Sequence, residues 1–362
     1  MFFTNLKICG IIVVTMNFTA KKRRNEQDTH IMKRKKLFSI ASLLLGATLF
    51  AGCTDTNYKV VFGDYWYYHV DQPASGEVVE TLTYKVNFTP ADGWNNYSVN
   101  YTNGSYTTVL SVDKTKYEGK EVYKYETQLD IDVVFTYDGK TSETYSDQVS
   151  TVVYLEKAAK ALAPLYSEKH VVSHSPVNGD ITDKTFESFG YDYTVSVDYQ
   201  TKKRTITNNK LAETEQNRTE TIAVEINEKD AEKYSLIDNE ALLLALRAVN
   251  PSSAVSHELL VYAPFSKETQ KITASFAKAE TAENISFKKD GADFKGNISY
   301  NPVTLSINAA NSGASQTVWV ANASDVKANE YRNMILRYEA PVSYNLGTLV
   351  YELDTATLAP KA

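Results

Sequence analysis

The chain is 362 residues long, enough for one large or two ordinary domains and for a core that needs no staples. With 25 tyrosines against 15 glycines and 9 prolines, the composition excludes a low-complexity linker or a disordered tail. The first 52 residues carry +7 of formal charge and the whole chain −6, leaving −13 for residues 53–362; so acidic a domain repels phosphate backbones, which argues against nucleic acid as a partner.

From Met32 the chain reads MKRKKLFSIASLLLGATLFAGC. A cationic stretch, Lys33 to Lys36, precedes an apolar run from Leu37 to Phe50. Small residues, Ala51 and Gly52, then stand directly before Cys53. These are the three parts of a secretory signal, and the apolar run is short for a membrane-spanning helix. The stretch Phe50-Ala51-Gly52-Cys53 resembles the lipobox of bacterial lipoproteins, with Phe50 in place of the usual aliphatic residue. The resemblance implies cleavage before Cys53 and a diacylglycerol on its thiol. Residues 53–362 would then be held by lipid to the outer side of a membrane in the cell envelope. The alternative is a plain cleaved signal with an incidental cysteine. Residues 1–31 hold a weak apolar run and a second basic cluster ahead of a complete signal. They are expected to be a spurious extension, with translation starting at Met32 and residues 32–52 forming the signal peptide. Cys9 would be lost with them, so no intrachain disulfide or paired-cysteine zinc site is available.

After Cys53 the dominant period is two, the mark of half-buried strands. Leu82, Tyr84, Val86 and Phe88 alternate with polar residues. Tyr97 to Tyr101 then approach Asn103-Gly104, which reads as a hairpin turn, with a return through Tyr106 to Val112. A long alternation from Tyr123 to Phe135 ends at Asp138-Gly139, a second hairpin signal, and returns from Thr141 to Leu155. Tyr154 to Ala163 is alanine-rich, stops at Pro164 and predicts a helix. Tyr191 to Tyr199 predicts a strand with a turn near Thr201–Lys203, followed by strands at 204–208 and 218–226. Asp238 is suited to cap a helix over 239–249, with Leu242, Leu243, Leu246 and Val249 as its apolar face, ended by Asn250-Pro251. Further strands are expected at 258–262, 270–276, 285–287, 296–300, 303–307, 317–320, 333–338 and 347–353. The expectation is a mainly β fold: a large antiparallel curved sheet, sandwich or half-barrel, with two short helices over an open face. A split of the mature region near 250–256 is the alternative.

Chemistry is harder to find. His170 and His174 are four apart but lie in strand or loop context without an evident third ligand, although Asp180 and Asp183 follow; no metal or cofactor is expected. No G-x-S-x-G elbow and no glycine-rich phosphate loop occur. Asp130 and Asp132 read as the wet face of a strand. The clusters Tyr65-Trp66-Tyr67-Tyr68 and Trp94-Asn95-Asn96-Tyr97 are the most unusual local features. Tyr65, Trp66, Tyr67, Trp94 and Tyr97 are candidate contacts for a glycan, an apolar ligand or a protein partner, with core or edge packing as the competing role. The functional expectation is a non-catalytic lipoprotein whose β domain binds a ligand or partner, with a curved sheet roofed by helices offering a cavity. A structural or assembly protein of the cell surface is the alternative, and a glycan or peptide hydrolase a weaker third.

Overall fold

A computed structural model of the chain describes residues 59–67, 78–91, 97–117, 119–137, 139–158, 161–175, 189–208, 218–249, 254–262, 269–307, 315–322, 333–342 and 346–358. Alternation turns the first half into a meander: β1 (Val78–Pro90), β2 (Tyr97–Asp113), β3 (Val122–Tyr137), the two-residue β4 (Lys140–Thr141), β5 (Tyr145–Glu156), β6 (Pro164–Ser175), β7 (Phe189–Asp198), β8 (Lys203–Asn208) and β9 (Arg218–Ala223). Helix α1 (Glu228–Lys233) leads to β10 (Ser235–Asp238), a 3₁₀ turn (Asn239–Ala241) and α2 (Leu242–Arg247). The second half adds β11 (Val255–Tyr262), β12 (Thr269–Phe276), β13 (Glu280–Lys289), β14 (Ala292–Ile307), β15 (Gln316–Ala321), β16 (Ile335–Pro341) and β17 (Gly347–Leu358).

All 17 strands join in one sheet. β1 is its hinge. It pairs with β2 on one side, where the meander runs on to β9, and with β17 on the other, where β16, β15, β14, β12, β11 and β10 follow. Pairing is antiparallel except between β10 and β11 and between β13 and β17. The first half of β14 pairs with β13, and β13 returns to β17 through Lys288 and Lys289 opposite Thr355 and Ala356, which closes a circuit of five strands. The fold is thus a mainly β, antiparallel, curved and closing sheet with two short helices, as its alternation predicts. Along β3, the residues Tyr123, Tyr125, Leu129, Ile131, Val133 and Phe135 all point inward and are buried.

Three local expectations give way to tertiary structure. Asn103-Gly104 is not a hairpin: β2 runs straight through it, pairing with β3 from Tyr97↔Tyr137 to Asp113↔Val122, with a register shift between Thr102 and Ser105. Asn103 takes φ of 52° and donates from its amide to Asp132 at 2.8 Å, so the pair forms a bulge that the two neighbouring strands hold in place. A Cβ on Gly104 would stand 2.6 Å from the carbonyl oxygen of Val86 on β1. Gly104→Ala is therefore expected to lower stability by about 1–3 kcal/mol in a urea melt, whereas Ser105→Ala, at an exposed position, should change it by under about 0.5 kcal/mol. Asp138-Gly139, by contrast, does sit at a chain reversal, with Gly139 at φ 76° between β3 and β4.

The alanine-rich stretch after Tyr154 is not a helix. Its first residues finish β5, where Val153 and Leu155 are fully buried and paired with β3, and Glu156 N–H reaches Ala163 C=O at 2.8 Å. Ladder pairing and burial outweigh alanine's helix propensity there. The predicted strands at 296–300 and 303–307 are one strand, β14, whose two parts serve different neighbours.

The third correction concerns α2. Asp238 does cap it, accepting from Glu240 N–H at 2.8 Å through the 3₁₀ turn. Yet the helix does not lie over an open face with one apolar side. Leu242, Leu243, Leu244, Ala245, Leu246, Ala248 and Val249 are all buried, and even Arg247 is only 2% exposed. A helix that is apolar all round belongs inside a core. Its side chains merge with the inward faces of both halves of the sheet in one cluster. The concave side is filled, not roofed. The space left beside Arg247, among Tyr84, Tyr106, Tyr125, Tyr338 and Tyr351, is about 10 Å³, room for roughly one water molecule. Among the described residues, α2 thus occupies the concavity in which a ligand cavity was expected.

Candidate functional site

Two polar clusters fasten α2 inside the sheet. Toward its C-terminal end, the Arg247 guanidinium forks onto both oxygens of Glu80 on β1, the second contact at 2.9 Å. Its Nε donates to Asn333 C=O at 3.0 Å, and the Asn333 amide donates back to Arg247 C=O at 2.9 Å. Burial alone would lower the guanidinium's pKa; the Glu80 carboxylate outweighs it and keeps the pKa raised. Burial also pushes the Tyr125 hydroxyl up to about 12. At the other end, Lys169 on β6 bonds both oxygens of Glu240 at 3.1 and 3.2 Å, and the Tyr199 hydroxyl donates to Asp238 at 2.5 Å. These groups are buried behind the sheet and serve the fold.

Among the described residues a cleft of usable volume lies at one end of the barrel. The segment Lys59–Tyr67 crosses that end. Val60, Phe62 and Trp66 are buried in the main core, Val60 N–H bonds the Ser235 hydroxyl at 3.0 Å, and Gly63 N–H bonds Ala248 C=O at 2.8 Å, just past the end of α2. Trp66 meets the edge of Tyr123 at 5.3 Å between ring centres. Between this segment, the start of β3 at Glu121–Tyr123 and the connection Lys157–Leu162 is a cleft of about 310 Å³, at the lower end of the range for small-ligand sites. Its rim is charged. Glu121 takes Lys157 at 2.8 Å and Lys114 at 3.0 Å, and hydrogen bonds from those two ammonium groups, Lys157 first, hold its pKa below the usual carboxylate range. Asp64 stands exposed on the same rim.

Of the aromatic residues singled out in the sequence, Trp66 forms the floor of this cleft as a core residue, 1% exposed, so its ring face is not free for sugar stacking. Tyr65 is half-buried beside it in a single 3₁₀ turn. Tyr67 closes that turn and Tyr97 opens β2, but their side chains lie outside the described residues, as do all of Tyr68, Trp94 and Cys53. Asp130 and Asp132 both lie on the partly exposed face of β3. His170 and His174 are both on β6 and each has a carboxylate: His170 meets Asp192 at 2.9 Å, and His174 Nδ1 meets Asp147 at 2.8 Å while stacking on Tyr145 at 4.4 Å. Burial raises the pKa of Asp147, and the contacts with His174 oppose the rise. Asp180 and Asp183 lie outside the described residues. Among the described residues no three His, Cys, Asp or Glu side chains are grouped to hold a metal ion.

Sequence reading missed Glu80, Lys169, Glu240, Arg247 and Asn333. One signal for Arg247 was available, since LLLALRAV is apolar on every side of the helix and leaves the arginine no wet face. Among the described residues no helix is long and apolar enough to cross a membrane.

Fold and site together define a helix-filled, barrel-like β domain with a charged cleft at the end its N-terminal segment crosses. No family model and no curated protein matches the chain. Among solved structures it is similar to a beta-barrel-like protein of the domain of unknown function DUF1849 from Brucella abortus, with a TM-score of 0.38, 11% identity, and coverage of 79% of this chain and 100% of that one.

Proposed function

We propose that the chain is exported, lipid-anchored at Cys53, and acts in the cell envelope as a non-catalytic binding domain that recognises its ligand or partner from outside, through the cleft at Trp66, Glu121 and Lys157. The observation that carries this reading is the filled interior. Among the described residues α2 and inward tyrosines fill the sheet's concavity, leaving about 10 Å³ beside Arg247, while the cleft offers about 310 Å³ at the surface. The anchor rests on the signal-like run and the lipobox resemblance, and two acyl chains on one cysteine hold a protein stably where a single chain is marginal.

The anchor is tested by growing cells on an alkyne palmitate analogue. The wild-type protein should take the label and sediment with membranes, and Cys53→Ala should lose the label and move to the soluble fraction. An unlabelled wild type, or an unchanged membrane fraction for Cys53→Ala, would refute it. For the cleft, Asp64→Lys reverses the charge of an exposed rim residue, where a surface charge contributes under about 1 kcal/mol. It should therefore leave the melt almost unchanged and abolish capture of whatever co-purifies with the wild type from detergent-solubilised envelopes. Unaltered capture would remove the cleft from the proposal.

A further inference from the structure

The same end of the barrel collects features that a lipid surface would explain. Cys53 is only six residues from Lys59, a span of at most about 20 Å even fully extended. From Val60 to Trp66 the chain has no slack, because Val60, Phe62 and Trp66 are seated in the core and Gly63 is bonded to Ala248. Three large aliphatic side chains are markedly exposed among the described residues. Two of them, Val61 at 64% and Val78 at 49%, are here: Val61 on the crossing segment and Val78 at the first position of β1, opposite Ser111 near the end of β2.

The charge is also unlike that of the rest of the domain. Residues 53–362 total −13, yet the turns at this end bring forward Lys114, Lys116, Lys120, Lys157, Lys202 and Lys203. Those six lysines are offset by six acids at the same end, Asp64, Asp113, Glu121, Glu156, Asp198 and Glu228, which leaves the end close to neutral. The negative excess therefore lies elsewhere, and this is the end that can approach an anionic membrane without repulsion.

Resting on the lipid anchor proposed above, we infer that this end of the barrel is a membrane-docking surface. It lies on the bilayer that holds the anchor, with Val61 and Val78 in the headgroup region, and the cleft at Trp66 opens onto that membrane surface. The Gly139 hairpin, about 50 Å away along the 16 residues of β3, points into the aqueous space.

The test uses the full-length protein, processed in cells, purified and reconstituted in vesicles that contain nitroxide-headgroup lipid. Lys120→Cys on the rim and Lys140→Cys at the far hairpin each carry a thiol-reactive fluorophore. Dye at position 120 should be quenched at least fivefold more than dye at position 140, and adding Val61→Asp, at an exposed position, should remove most of that difference without releasing the protein from the vesicles. Equal quenching at both positions, stronger quenching at 140, or a difference untouched by Val61→Asp overturns the docking surface. The wild type is the control for the anchor itself. Its cysteine is blocked if lipidated, so dye uptake by the wild type would overturn the anchor and the docking surface with it, whereas a dye-free wild type with equal quenching overturns the docking surface alone.

Discussion

Glu80→Ala is expected to destabilise the protein by about 3–5 kcal/mol, enough to threaten folding of a domain of ordinary stability. The reason is the charge it strands. Arg247 is 2% exposed and Glu80 1%, and the guanidinium has one carboxylate to meet both of its terminal nitrogens. Without Glu80, that cation stays at the centre of a core of leucine and tyrosine. The double change Glu80→Leu with Arg247→Met removes both charges and keeps the volume. It should recover most of the loss, because desolvating a buried ion pair offsets much of its mutual attraction. Urea melts of the single and double variants give the comparison. A single variant within about 1 kcal/mol of wild type would mean that water reaches the pair.

Raising the pH from 4 to 6 is expected to weaken the fold. Burial, and then the neighbouring Glu240, push the pKa of Asp238 from 3.8 to about 6 in the native state. Between those two values the folded chain holds a proton that the unfolded chain has released. Stability linked to this group is fully present below pH 4, falls as the pH rises, and levels off above pH 6. Two units correspond to about 3 kcal/mol. Asp147, raised by its own burial, slopes the same way. Asp238→Asn keeps a residue able to cap the 3₁₀ turn before α2 and should flatten most of the decline in melts taken at pH 4, 5, 6 and 7. An equal slope in wild type and Asp238→Asn would assign the effect to other groups.

A local pattern marks Asp238 as a helix cap but says nothing of its burial, and none marks Glu80 at all. Glu80 occupies an inward position of β1 in phase with Leu82 and Tyr84, and in the sequence VVETL it reads as an ordinary polar residue at a strand's start. Its meaning comes from an arginine 167 residues away. The aromatic cluster at Trp66 was legible as unusual, but its role was not. A tryptophan whose indole packs on Tyr123 in the core and one that offers its face to a ligand look the same in the chain. Asn103-Gly104 shows the limit from the other side: a strong local turn signal became a bulge because β3 pairs along the whole length of β2 and β1 pairs with it from Gly104 to Ser111.

By itself the sequence determined the strand-rich architecture, most strand positions, the capped helix after Asp238 and the signal-like run before Cys53, since each rests on short-range periodicity or on a contiguous stretch of side chains. Only the tertiary structure decided that α2 fills the sheet's concavity, that five strands close through β13 and β17, and that the usable cleft lies at the end crossed by Lys59–Tyr67. These depend on which surfaces meet across separations far longer than a strand or helix repeat, 167 residues for Arg247 and Glu80, and the burial gained there is set by shape and by the pairing of such charges, to which a period of two or 3.6 carries no key.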